Sequence, residues 1–140
     1  MSTGAIDREQ RTFESVPTSA RAARQFVTEL LGEHRATPAA VEDCALVVSE
    51  LVTNIIEHGD GSAFVIFLDV ADPAWWDIEV TGRAPELPQL VLEPETWTIA
   101  DAEDVSGRGL GIVRHLMDDV ITDTADGQLS VRCRRRRSEG

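Results

Sequence analysis

The sequence predicts an α+β domain: a two-layer sandwich with helices packed on one face of a mixed, mainly antiparallel sheet of four to five strands. Three observations carry that expectation. Apolar residues recur at helical spacing between Ser19 and Leu31 and again between Thr37 and Gly59. Runs rich in branched and aromatic residues follow, at Ala63 to Val70 and Trp75 to Thr81. Near the end, Asp126-Gly127 has the composition of a tight turn between two more strands, Val120 to Thr124 and Gln128 to Arg134.

Taken in order, Met1 to Gln10 has the character of a disordered lead-in, and Arg11 to Val16 that of a short edge strand ended by Pro17. Thr18 or Ser19 is expected to cap a helix whose Ala23, Phe26, Val27, Leu30 and Leu31 form one buried stripe. Thr37 is a second N-cap candidate, Pro38 suits the first helical position, and Gly59 can end this helix. At about 100° per residue, Val41, Ala45, Val48, Val52, Ile55 and Ile56 line up as its apolar stripe, with Glu50, Asn54, Glu57 and His58 on the opposite side. The unbroken apolar run Phe64 to Leu68 suits a strand covered on both faces. Ala71-Asp72-Pro73 joins it to an antiparallel partner.

From Gly82 to Ser106 the patterning stops. Pro85, Pro88 and Pro94 punctuate this stretch, and five acidic residues but no basic one lie between Gln89 and Val105. Long irregular connections are uncommon in compact domains unless functional or disordered, so 83–106 is expected to be a lid, partly ordered by Trp97 and Ile99. Ser106-Gly107-Arg108-Gly109-Leu110-Gly111 then leads into a short helix, Ile112 to Met117. The whole is one domain, 11–135, with 136–140 as a basic tail.

Composition narrows the function. A net charge of −12 argues against nucleic-acid binding, which needs a basic surface, and an acidic exterior suits a protein partner. All 13 basic residues are arginines, which removes P-loop lysines, protein-kinase strand lysines and Schiff bases. No apolar run is long enough to span a membrane and no export leader is evident, so a cytoplasmic protein is expected. Cys44 and Cys133 lack zinc or CxxC spacing, and Cys44 is expected to be buried beside the apolar stripe.

Two segments can carry chemistry. Glu50, Asn54 and His58 at four-residue spacing share one helix face, although a polar helix face is often only a solvated one. Gly107, Gly109 and Gly111 before a helix allow backbone N–H groups to approach a phosphate, which the helix N-terminus favours.

The two segments in this order, SELVTNIIEHG and SGRGLGIVRHLMD, with two strands and a lid between them, resemble the N box and second glycine box of the GHKL (Bergerat-fold) ATPase superfamily. Within it they are most similar to anti-sigma-factor serine/threonine kinases. The resemblance covers about Ser19 to Arg134. It implies a cytoplasmic regulator that binds ATP and Mg²⁺, sequesters a sigma factor and phosphorylates a serine of a STAS-fold antagonist, and that can form a homodimer. Residue by residue, it makes Asn54 the ligand of the Mg²⁺ on the phosphates and Glu50 the general base toward the substrate serine. His58 takes either a place near the phosphates or a role in helix-end packing; Arg108 either neutralises phosphate charge or faces solvent. Gly107, Gly109, Leu110 and Gly111 complete the phosphate segment.

One position departs from the family pattern. The first glycine box supplies an aspartate after the central strand that accepts a hydrogen bond from the adenine amino group, and Gly82 stands where it is expected. Thr81 can replace it only through water, and Gly82→Asp should restore the acceptor unless Gly82 adopts a positive φ. The alternative function is therefore a nucleotide-independent protein-binding module on the same scaffold.

Overall fold

The computed structural model describes residues 8–85 and 105–137, in the second segment with side chains from Leu110 onward. The expected lead-in before Arg8 and most of the expected lid, with Trp97 and Ile99, lie outside the described residues.

The chain runs β1 (Arg8–Phe13), α1 (Ser19–Glu33), α2 (Pro38–His58), β2 (Phe64–Asp69), β3 (Trp75–Arg83), α3 (Val105–Leu116), β4 (Asp119–Ala125), β5 (Gln128–Arg136). The strands form one sheet of order β1-β2-β3-β5-β4, and every pairing among them is antiparallel, so the mixed sheet allowed from sequence has no parallel pair here. β1 begins at Arg8, inside the stretch read as lead-in, and ends at Phe13, whose ring stacks on Phe64 across the register at 5.5 Å.

The α1 stripe is buried as its spacing predicts: Ala23, Phe26, Val27, Leu30 and Leu31 all belong to the core. Its cap is not the expected one. Thr18 is already helical and makes no side-chain cap; the Ser19 and Ala20 N–H groups donate instead to the carbonyls of Val16 and Pro17. α2 does start as predicted, with Thr37 Oγ1 accepting from the Ala40 N–H at 3.1 Å and Pro38 in the first turn.

β2 corrects a second expectation. Phe64, Ile66 and Leu68 are buried, but Val65, Phe67 and Asp69 between them are only half-buried, so helices cover one face and not both. The other face is sheltered by its own side chains. Arg8 lies over the Phe67 ring, Arg132 pairs with Asp77 through two hydrogen bonds of 3.0 and 2.6 Å, and Arg134 and Arg136 lie over Trp75. Asp126 and Gly127 both have positive φ, the tight turn their sequence predicts.

The C-terminal arginines are part of the fold. β5 runs through Arg136, Arg135 pairs with Asp43 of α2, and Arg137 donates to the carbonyls of Val70 and Trp75 while lying 3.7 Å over the Trp76 ring. Among the described residues no helix is long and apolar enough to cross a membrane.

Candidate functional site

α2 is flanked by α1 and α3 and rests on the sheet at β3, so three neighbours decide which of its faces is dry. Its buried residues are Ala40, Cys44, Val47, Val48, Leu51, Val52 and Ile55. Relative to the predicted stripe this face is rotated toward Cys44, Val47 and Leu51; Val41 and Ile56 are only partly buried at its margin. In consequence Glu50, Asn54 and His58 do not sit opposite the core. They are half-buried on the flank of the buried face, whereas Glu57 is exposed. A carboxylate, an amide and an imidazole one turn apart thus share a half-sheltered flank of α2 and not a fully solvated face.

α3 packs against α2 and begins at Val105, so Ser106 to Gly111 lie within the helix and not in a loop ahead of it. Gly107, Arg108 and Gly109 fall in its opening turns, where several N–H groups lack an intrahelical acceptor. Gly111 is buried, and the Leu110 side chain, 2% exposed, is part of the core, which leaves only its backbone available to a ligand.

Gly82 sits on the helix-side face of β3, opposite Leu129 of β5. A Cβ added there would meet Ile55 Cγ2 at 3.0 Å and Phe64 Cβ at 3.2 Å. Its φ is not positive, so the glycine is explained by close packing and not by backbone conformation. Thr81 points to the other face, where its hydroxyl lies 2.9 Å from that of Ser130; it cannot substitute for a carboxylate at position 82.

Sequence reasoning missed the clasp that closes this end of the site. The Asp60 N–H donates to the Arg83 carbonyl at 3.1 Å, the Arg83 guanidinium donates to the Asp60 carboxylate at 3.0 Å and to the Asp126 carbonyl at 3.3 Å, and the Ala84 N–H donates to the Gly127 carbonyl. Hydrogen bonds from Ser62, then from Arg83, pull the Asp60 carboxyl down to about 2. The clasp ties the end of α2 to β3 and to the β4–β5 turn. Only the Asp60-Gly61 pair after α2 hinted at it. Ile55, read simply as core, was the other omission.

Comparison with known proteins takes in nearly the whole chain. The chain belongs to the histidine kinase-like ATPase domain family, whose model matches residues 13–135. Among solved structures, the RsbU and RsbW domains of a Mycobacterium tuberculosis protein superpose with a TM-score of 0.72 at 20% identity, over 96% of this chain and 34% of that one. The chain therefore spans about a third of that protein's length. The SiaB–SiaC complex from Pseudomonas aeruginosa matches with a TM-score of 0.63 at 13% identity, over 90% of this chain and 89% of that one. At such identities the likeness is one of fold. No curated protein matches the sequence.

Proposed function

We propose that this chain is a cytoplasmic, ATP- and Mg²⁺-binding regulator of the anti-sigma serine/threonine kinase type, which sequesters a sigma factor and phosphorylates a STAS-fold antagonist. The observation that carries it is the half-buried row Glu50, Asn54, His58 beside the glycine-bearing start of α3. A chain belonging to the histidine kinase-like ATPase family, with an acidic surface suited to a protein partner, supports the same reading.

The residues present fit the cofactors. Asn54 offers a neutral amide oxygen, a hard donor suited to Mg²⁺, and the first-turn N–H groups of a helix such as α3, which have no acceptor within the helix, suit phosphate. ATP would supply the phosphoryl group, with Mg²⁺ neutralising its oxygens. Glu50 would take the proton from the attacking serine hydroxyl, one helical turn from the metal ligand. His58 and Arg108 are assigned to the phosphate end, and a homodimer is the proposed assembly.

The second reading, a nucleotide-independent binding module, is favoured by the packing of Ile55 at Gly82. Calorimetric titration with ATP and Mg²⁺ separates the two. The kinase reading expects Mg²⁺-dependent binding that Asn54→Ala weakens; wild-type protein that binds no nucleotide moves the conclusion to the module.

A further inference from the structure

Resting on the nucleotide-binding reading above, we propose that Arg135 is a positioning residue for the site: from β5 it fixes α2 and α3, the helices that carry the Asn54 row and the glycine segment, against each other. Its guanidinium donates to the Asp43 carboxylate near the start of α2 and, at 3.5 Å, to the carbonyl of Leu116, the last residue of α3. The Arg135 and Asp43 side chains are 19% and 29% exposed, so water and salt screen the pair less than one on the open surface.

The tie acts at a distance. From this shared end of the packed pair, α2 runs forward in the chain and α3 backward. Asn54 stands 11 residues beyond Asp43 and Gly107 stands nine before Leu116, offsets of about 16 and about 13 Å along their helices. Both site segments are therefore at the far ends of levers that meet at Arg135. A swing of α3 by about 10° about that point would carry its first turn about 2 Å, whereas hydrogen-bond lengths span only about half an ångström.

α3 depends on such ties for its placement. It has 12 residues with Gly107, Gly109 and Gly111 among them, and glycine is a poor helix former. Leu110 and Val113 seat it on the core. Beyond its last turn the Asp118 N–H donates to the Arg134 carbonyl and the Asp118 carboxylate accepts from the Arg136 N–H, which fastens this end to β5. Arg134 and Arg136 turn to the open face of the sheet, over Trp75. Arg135, between them, turns to the helices and carries the fastening across to α2.

Arg135→Met and Asp43→Ala cut the tie from its two sides. Titrated calorimetrically with ATP and Mg²⁺ well below their melting midpoints, both should bind about tenfold more weakly than wild type, the worth of one hydrogen bond to a charged group. Arg135→Lys, which keeps a cation opposite Asp43, should stay within about threefold of wild type. Val27→Ala, a change in the buried stripe of α1, should lower the melting midpoint yet also stay within about threefold in affinity. Wild-type affinity in folded Arg135→Met or Asp43→Ala overturns the proposal. An equal loss in Val27→Ala overturns it too, since the tie would then be a stabilising contact and nothing more. If Arg135→Met does not fold, Asp43→Ala, at a partly exposed position, decides alone. Wild-type protein that binds no nucleotide overturns the nucleotide reading itself, and this inference with it.

Discussion

Ile55 closes over Gly82: a Cβ on residue 82 would lie 3.0 Å from Ile55 Cγ2 and 3.2 Å from Ile55 Cδ1, so the helix and the strand touch where the family pattern places a carboxylate. Gly82→Asp by itself should therefore lower stability by about 2–4 kcal/mol, through overpacking and a carboxylate facing apolar side chains. Adding Ile55→Ala should recover part of that loss, making the pair markedly non-additive. Urea unfolding of the two single variants and the double variant measures the coupling. Wild-type stability in Gly82→Asp would mean that the two elements do not meet as described.

Asn54 and Val52 lie two residues apart on α2 and should fail in opposite ways. Asn54 is half-buried and Val52 fully buried. Asn54→Ala should change stability by less than about 1 kcal/mol while reducing Mg²⁺-dependent ATP affinity. Val52→Asp, which places an unpaired charge in the core, should unfold the domain. Circular dichroism melts alongside calorimetry distinguish the two effects, and a Val52→Asp protein that melts like wild type would show the helix faces to be misassigned.

Gly59→Ala should be costly for a reason of space. Gly59 has φ −82, open to any residue, but an added Cβ would run into the Ile55 carbonyl oxygen of the last helical turn and lie 2.8 Å from the Arg83 carbonyl oxygen. Relief requires the end of α2 to lift and the Asp60 N–H bond to that carbonyl to lengthen. A loss of about 1–3 kcal/mol is expected in thermal unfolding. A neutral substitution would place the helix end further from β3.

Asp60 should contribute to acid sensitivity. Its carboxyl is held at about 2, below the ordinary 3.8, by Ser62 and then Arg83, so the folded state favours the ionised form. A depressed carboxyl stabilises above its unfolded value, and the contribution fades as pH falls from about 4 toward about 2. Asp60→Asn should flatten that part of the stability profile and lower stability at neutral pH. Unfolding midpoints across the range provide the check, and an unchanged acid limb would detach Asp60 from the clasp.

Cys44 and Cys133 are fully buried, and burial pushes the Cys44 thiol up to about 12 and Cys133 higher still. Thiolates form in the unfolded chain first, so stability should fall as pH rises above about 9. In the native state at neutral pH neither thiol should react with iodoacetamide, and both should react in denaturant. Modification of the folded protein without loss of structure would contradict their burial.

The order of elements, the buried stripe of α1, the Thr37 cap and the Asp126-Gly127 turn were all legible in the sequence, because each depends on residues within a turn or two of one another. The pairing of SELVTNIIEHG with SGRGLGIVRHLMD also pointed to the family that the comparison then established. Packing decided the rest. A helix's own periodicity places residues around its axis but does not say where its neighbours press; α1, α3 and β3 turned the dry face of α2 toward Cys44, Val47 and Leu51 and left Glu50, Asn54 and His58 half-sheltered. The same limit hid the opposition of Ile55 and Gly82, the Asp60–Arg83 clasp and the anchoring of the last arginines on Trp75 and Trp76. These contacts join residues distant in the chain, so only the assembled sheet and helices bring them within a few ångströms.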